Sequence, residues 1–178
     1  MEKYLRGRRI TLPIPTTLRH HPNLLYKPTG QYFHALVAAV QDPGGEIVAI
    51  HRIYLLSDGR RPPVVEQKMS LGPCKGNAVR LGPVKDRLLL AEGIESALSA
   101  MQLAGFSAWA SIGTGGLSNL YLPSHITEVL IAADGDVAGR KAAQDAAERW
   151  RARGVRVRIK DPGDGMDYND LLQRGAAA

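Results

Sequence analysis

Two short apolar segments each end abruptly on acidic residues, and this pattern limits the fold more than any other feature. Residues 88–91 are followed by Glu92 and a glycine, and residues 129–133 are followed by Asp134, a glycine and Asp136. Short apolar runs without polar alternation are typical of strands buried on both faces of a parallel sheet. In such a sheet, ligands bind outside the carboxyl ends of the strands. The pattern therefore predicts acids presented to a substrate.

The second half of the chain alternates between predicted strands and helices. The strands are predicted at 88–91, 108–112, 129–133 and 155–159, and the helices at 94–103 and 137–153. Gly105 and Gly154 follow the helices where a left-handed cap is common. The order predicts an α/β fold, a parallel sheet flanked by helices with right-handed crossovers. The alternating polarity of the last strand predicts a sheet edge with one solvated face.

The first half has a different pattern. Residues 34–40 and 46–55 predict strands joined by a turn, which makes a β-hairpin. Residues 1–31 are broken by prolines and predict an irregular entry segment, while residues 64–82 form a polar, glycine-punctuated segment that could run across the hairpin. We therefore expect a smaller α+β subdomain at residues 1–84, built on the hairpin, and a catalytic domain at residues 85–178.

The charge of the chain is unevenly distributed. Residues 1–85 carry 13 Lys and Arg against 5 Asp and Glu, whereas residues 86–178 carry 10 against 12. A basic half beside an acidic edge suits a polyanion held by one part and processed by metal ions in the other, although a solvated basic surface would look the same. If the segment at 64–82 runs across the hairpin, its cations and Arg52 could form a strip that contacts nucleic-acid phosphates with salt-sensitive affinity; the cations are Arg52, Lys68, Lys75 and Arg80.

Several classes of protein are disfavoured. The single cysteine, Cys74, excludes a disulfide within the chain and a thiolate-rich zinc site. The pair His20 and His21 has no further ligand nearby, which favours a structural or solvent role. No apolar run approaches the roughly 18 residues of a membrane span, and charges occupy the first positions, where a signal peptide is apolar. We expect a soluble, cytoplasmic protein without a membrane partner.

The acids at the predicted strand ends are candidate metal ligands. They are Glu92, Asp134, Asp136, Asp167 and Asp170. Their mutual repulsion would be costly without a cation, and carboxylate oxygens suit Mg²⁺ or Mn²⁺, with water and substrate phosphates completing the coordination. The alternative is that Asp134 and Asp136 cap the helix predicted from residue 137, which would explain one aspartate rather than all five acids.

A glycine run directly follows the predicted strand at 108–112. Backbone N–H groups at Gly113, Gly115 and Gly116 could approach a phosphate closely. The run lacks the lysine of a Walker motif, so a tight turn is an equal alternative.

Four segments together resemble the Toprim domain, the fold shared by bacterial-type primases, type IA and II topoisomerases and some nucleases. The matching segments are residues 88–93, 111–115, 131–143 and 167–172. The resemblance implies a Rossmann-like sheet, with Glu92 as general acid or base and with Asp134 and Asp136 as ligands of a divalent metal. The segments at 137–143 and 167–172, and residues 68–83 upstream, are similar to primases encoded by phages, plasmids and other mobile elements.

The resemblance implies the catalytic core of a DNA primase, a nucleotidyltransferase that makes short RNA primers during DNA replication. Single-stranded DNA would lie on the basic half, metal at Asp134 and Asp136 would bind the triphosphate of a ribonucleotide, and Glu92 would assist proton transfer. A Toprim nuclease and a non-catalytic nucleic-acid-binding remnant are alternatives. A topoisomerase is disfavoured, because the chain is too short for the domain that carries the nucleophilic tyrosine.

Two departures from those primases bear on the site. Where they often carry a further aspartate, this chain has Ser96, with Glu95 one place earlier. The zinc-binding module and the helicase domain have no counterpart in this sequence. We therefore expect them to be supplied by another chain or by the rest of a longer protein.

Overall fold

The computed structural model describes residues 1–112 and 114–175. The helices are α1 (Glu2–Gly7), α2 (Ile94–Ala104), α3 (Thr114–Asn119), α4 (Val137–Arg151) and α5 (Tyr168–Gly175). The strands are β1 (Leu18–Tyr26), β2 (Gln31–Gln41), β3 (Ile47–Leu55), β4 (Lys68–Leu71), β5 (Val79–Arg80), β6 (Arg87–Ala91), β7 (Ala108–Ala110), β8 (Glu128–Ala132) and β9 (Arg156–Lys160). They form one sheet in the order β1-β2-β3-β4 and another in the order β5-β7-β6-β8-β9.

The first sheet is antiparallel and contains the predicted hairpin as β2 and β3. The polar segment does cross the hairpin, since β4 pairs with β3 and places Lys68 opposite Ile53. The expectation of an irregular entry segment was wrong, because α1 and β1 lie within it. Pro22 and the polar residues of β1 are tolerated because β1 is an edge strand, whose pairing with β2 shifts register between His21 and Leu24.

The second sheet confirms the predicted parallel architecture. Strands β6 to β9 are parallel to their neighbours, and only β5 joins antiparallel, at the edge beside β7. Helices α2 and α5 cover one face, where Leu98 and Leu172 are buried; α3 and α4 cover the other, where Leu117 and Trp150 are buried. The predicted edge strand is β9. In the described part of the chain, no helix has the length and apolar character needed to cross a bilayer.

The two sheets share a hydrophobic core. Leu36 and Ile53 of the first sheet belong to the same buried cluster as Leu89 of β6 and Leu98 of α2. The first sheet therefore packs against the α2 side of the second sheet, and side chains of β3 and β4 come close to the carboxyl end of β6. The division at residue 84 stays a prediction; β5 lies before that boundary in sequence but pairs in the second sheet.

We predict that Trp150→Ala lowers the free energy of unfolding by about 3–5 kcal/mol, because it opens a cavity where α4 packs on the sheet. Urea denaturation followed by circular dichroism measures the change. On the same helix Val137 is 83% exposed, so Val137→Ala should change stability by no more than about 0.5 kcal/mol. Equal losses in the two variants would contradict the packing described for α4.

Candidate active site

Parallel neighbours bring the first three acids to one edge. Strands β6 and β8 pair with Leu90 opposite Ile131, so they end side by side. Glu92 follows β6, and Asp134 and Asp136 follow β8. Glu92 is only 6% exposed, and the charges of both aspartates act on it. The structure thus assembles these three predicted residues.

Burial and like charge shift the pKa of two of these acids upward. Burial, and then the charges of Asp134 and Asp136, raise the pKa of Glu92 to about 7. Burial, and then the charges of Asp167 and Asp136, raise the pKa of Asp134 to about 6, against the opposing effects of Lys68 and a hydrogen bond from Ser96. A carboxyl group that titrates near neutral pH is suited to both taking up and giving back a proton.

The carboxylate oxygens of this edge fit a hard divalent cation. The Oε1 atom of Glu92 and the Oδ1 atom of Asp134 are buried and have no hydrogen-bond partner among the described residues. Buried polar atoms are normally paired, and oxygen ligands of this kind suit Mg²⁺ or Mn²⁺. Among residues 1–112 and 114–175, no three His, Cys, Asp or Glu side chains form a cage by themselves. A cation here would take water and substrate phosphates as its remaining ligands.

Asp136 also stabilises a helix. It is the N-cap of α4, where its Oδ1 atom accepts a hydrogen bond of 2.6 Å from the backbone N–H of Gly139. The capping alternative is therefore confirmed for Asp136. Because the cap engages one of the two carboxylate oxygens, capping and metal binding are compatible at this residue.

The segment after β9 closes against this edge through Gly135. Its N–H donates to the carbonyl of Met166 at 2.8 Å, and its own carbonyl accepts from Gly165 at 2.9 Å. A Cβ atom at position 135 would lie 1.8 Å from the carbonyl oxygen of Gly163, so only glycine permits this approach. The contact brings Asp167 close enough to raise the pKa of Asp134.

Asp167 and Asp170 form a capping box at the start of α5. The N–H of Asp170 donates to Oδ1 of Asp167 at 2.8 Å, and the N–H of Asp167 donates to Oδ2 of Asp170 at 3.0 Å. Asp170 lines a separate concavity, together with Arg8 and Arg61. The structure therefore places Asp167 near the other acids and Asp170 at the separate concavity. Metal binding by Asp170 stays a prediction.

The predicted phosphate-binding glycines are described only in part. Gly113 lies outside the described residues. Gly115 and Gly116 belong to α3, and a Cβ atom at Gly116 would lie 1.8 Å from the carbonyl oxygen of Ser111. Close packing therefore explains Gly116, and phosphate binding by this run stays a prediction.

The four predicted cations do not form one continuous strip. Lys68 lines a cavity of about 300 Å³ together with Glu92 and Asp134. Arg52 pairs with Met69 across the sheet, on the face opposite to Lys68, and donates to the carbonyl of Ser70 at 3.2 Å.

The other two cations lie towards the β5 edge. The guanidinium of Arg80 stacks on Trp109 at 4.5 Å from the ring centroid and donates to the carbonyls of Asp42 and Pro43. Lys75 is exposed in the segment between β4 and β5. Nucleic-acid contact by each of the four cations stays a prediction.

Sequence reasoning missed His51, which lines the same cavity. Its Nδ1 atom lies 2.9 Å from Oγ of Ser70. Burial, and then the charge of Lys68, lower the pKa of His51 to about 4, so the imidazole is neutral at physiological pH. The available signal was strand alternation, which places a polar residue at an inward-facing position of β3.

Two residues at the start of α2 were also missed as parts of the site. A hydrogen bond from the hydroxyl of Ser96 to Asp134 acts to lower the pKa of that carboxyl. Glu95 is buried and accepts hydrogen bonds from Tyr4, Arg61 and Lys68. Neither role has a local sequence signal, because the partners are distant in the chain.

Two family models match the chain. Residues 87–178 match the Toprim domain, and residues 1–81 match a domain of unknown function (DUF7146). No curated protein matches.

Solved structures of DNA primases are similar to this chain. The primase fragment of the bacteriophage T7 primase-helicase protein has 19% identity and a TM-score of 0.58, over 80% of this chain and 59% of that one. A DNA primase domain from Pseudomonas aeruginosa has 20% identity and a TM-score of 0.54, over 85% and 52%. The Aquifex aeolicus primase, with zinc-binding and RNA polymerase domains, has 19% identity and a TM-score of 0.58, over 85% and 40%. The chain thus spans 40–59% of the length of these structures, and the likeness shows a shared fold.

We predict that Glu92→Gln becomes more stable relative to the wild type as pH rises from about 4.5 to about 7, by about 1–3 kcal/mol in EDTA. The folded state holds the Glu92 proton up to a higher pH than the unfolded state does, so deprotonation in this window costs the wild type stability that the amide does not lose. Urea denaturation of both proteins across this range measures the difference. The lowered pKa of His51 acts in the opposite direction but is common to both.

The exposed carboxylate Glu148 supplies the control for this measurement. Glu148→Gln should follow the wild type at every pH. A Glu92→Gln curve parallel to the wild-type curve would contradict the raised pKa.

Proposed function

The chain belongs to the Toprim domain family, and from this premise we propose that it is the catalytic core of a DNA primase, which joins ribonucleotides on a single-stranded DNA template. One observation carries the proposal: Lys68 and His51 of the first sheet line one cavity with Glu92 and Asp134 of the second. A cation and a neutral imidazole facing two acids suit a nucleoside triphosphate. The similarity to primase structures extends over both sheets, which favours this reaction over others of the family.

The residues of the cavity have separate roles in the proposed reaction. Asp134 and Asp136, with Glu92, would hold a divalent cation, which when bound would neutralise phosphate charge and favour in-line displacement. Glu92 would accept the proton of the attacking 3′-hydroxyl while the new phosphodiester bond forms at the α-phosphate and pyrophosphate leaves. Lys68 offers its ammonium to the triphosphate.

Binding of the template is assigned to the basic first sheet and the segment after it. The exposed Lys75 lies beyond the carboxyl end of β7, because β5 runs antiparallel to β7 and this segment precedes β5. Single-stranded DNA bound at Lys75 would lead towards the cavity. We further propose that a helicase or a zinc-binding domain acts with this chain, as the T7 primase-helicase protein and the zinc-binding domain of the Aquifex primase suggest. We also propose that the chain acts in the cytoplasm, in replication of a mobile element.

We predict that the wild type makes short labelled oligonucleotides from ribonucleoside triphosphates and single-stranded DNA with Mg²⁺ or Mn²⁺. Glu92→Gln and Asp134→Asn should each reduce the yield by at least about 100-fold, as expected for loss of a proton acceptor or a metal ligand. Gel electrophoresis of products measures this. Asp145→Asn, an exposed change on α4, should leave the yield unchanged.

The same gel separates the alternatives. Shortened DNA that depends on Glu92 would favour a nuclease, in which this carboxylate activates water. DNA binding without any reaction would favour a binding remnant. Primer synthesis that persists in Glu92→Gln would contradict the assigned chemistry.

We predict that Lys75→Ala lowers the slope of log K against log salt by about 0.7 for single-stranded DNA, the effect of losing one phosphate contact. Fluorescence anisotropy at several salt concentrations measures the slope. Arg153→Ala is the charge-matched control, because Arg153 is exposed beyond the far end of α4, at the opposite edge of the sheet. Equal slopes for the two variants would move the DNA-binding surface away from Lys75.

A further inference from the structure

Glu95 is a buried carboxylate at the meeting point of both sheets. Its side chain is only 4% exposed, although it stands in the first turn of α2. The hydroxyl of Tyr4 donates to Oε1 at 2.5 Å, and Nη2 of Arg61 donates to the same oxygen at 2.7 Å. Nζ of Lys68 lies 2.9 Å from Oε1 and 3.1 Å from Oε2. Three donors from the first half of the chain therefore converge on one acid of the second.

These contacts keep Glu95 charged and occupied. Burial by itself would raise its pKa, but the charge of Lys68 and the hydrogen bond from Tyr4 outweigh burial and lower the pKa to about 2. Because three donors hold its oxygens, Glu95 is not free to act as a metal ligand. Glu95 therefore acts through the residues that it contacts.

Lys68 is the partner that reaches the candidate active site. Its side chain is 37% exposed, and it lines the cavity together with Glu92 and Asp134. Its charge lowers the pKa of Asp134 and of Glu95 alike. One ammonium group therefore lies within electrostatic range of two carboxylates, one of which is the proposed metal ligand.

We propose that Glu95 is a positioning residue that holds the ammonium of Lys68 away from Asp134, so that Asp134 stays free to bind a divalent cation. The inference rests on the metal site of the proposed function. Without Glu95, Lys68 would pair with Asp134, and a metal ion would have to displace it. The partly exposed ammonium of Lys68 would then have lost its ion-pair partner, and the carboxylate of Asp134 lines the same cavity.

The same anchoring prepares Lys68 for the substrate. An ammonium has three N–H donors, and Glu95 offers two oxygens to them. One donor is left for a phosphate oxygen of the nucleotide. Glu95 thereby keeps a cation beside the metal ligands without neutralising them.

Binding of Mn²⁺ to the folded protein without substrate tests the proposal, with free Mn²⁺ measured by electron paramagnetic resonance. Glu95→Gln should weaken binding by about tenfold, the effect of one charged competitor at Asp134. The double variant Glu95→Gln with Lys68→Met should return to within about threefold of the wild type, because the competitor is gone. Lys68→Met alone should bind Mn²⁺ at least as tightly as the wild type.

Tyr4→Phe is the matched control, because it removes one donor to Glu95 but leaves the pair with Lys68. It should lower the unfolding temperature without changing the affinity for Mn²⁺, and thermal unfolding checks the fold of every variant. If Glu95→Gln alone does not fold, the Mn²⁺ affinities of the double variant and of Lys68→Met test the proposal.

Three results would overturn the inference: unchanged affinity in Glu95→Gln, no recovery in the double variant, or weaker binding in Lys68→Met. If the wild type binds Mn²⁺ and Asp134→Asn does not, such a result removes only the role of Glu95. If the wild type binds no Mn²⁺, the metal site of the proposed function falls as well.

Discussion

Repulsion among carboxylates at one sheet edge is the constraint on which the rest of the structure depends. Glu92, Asp134 and Asp136 follow two neighbouring parallel strands, so the fold cannot separate them. The chain reduces the cost in three ways: Glu92 keeps its proton to about pH 7, Asp136 engages a helix N-terminus, and Lys68 places a positive charge nearby. Two of these groups, the carboxyl of Glu92 and the ammonium of Lys68, also have roles in the proposed function, so the compensation and that function involve the same atoms.

The first sheet contributes to the site as well as to the core. Its inner face buries Leu36 and Ile53 against α2, and the same face presents His51 and Lys68 to the cavity. Packing and polar contact thus depend on one register between β3 and β4, because a slip by one residue would exchange Lys68 for Met69 on that face. Glu95 of α2 pairs with the ammonium of Lys68 and accepts a hydrogen bond from Tyr4 of α1, so it connects β4 to both helices.

The acids of the site were predictable from sequence because the signal is local: an apolar run followed by a carboxylate and a glycine fixes the strand and its end together. Other local patterns predicted the hairpin, the helix end at Gly105 and the edge position of β9. The predicted helix end at Gly154 was wrong, because α4 ends at Arg151 with Ala152 as its cap, and Gly154 takes its positive φ in the turn that follows. What could not be predicted depends on partners distant in the chain. Neither the strand at 18–26 nor the orientation of Glu95 follows from neighbouring residues, because each is decided by pairing across the first sheet or between the two sheets.

The cap made by Asp136 affects how sequences of this kind should be compared. An N-cap aspartate contributes about 0.5–2 kcal/mol to a helix regardless of any reaction, so selection for folding alone would retain it. The presence of this aspartate in a related chain is therefore weak evidence that the related chain is catalytically active. Asp134, whose buried Oδ1 has no hydrogen-bond partner among the described residues, has less structural reason to persist. In a chain that has kept the fold but lost the catalytic activity, we expect Asp134 to be replaced before Asp136.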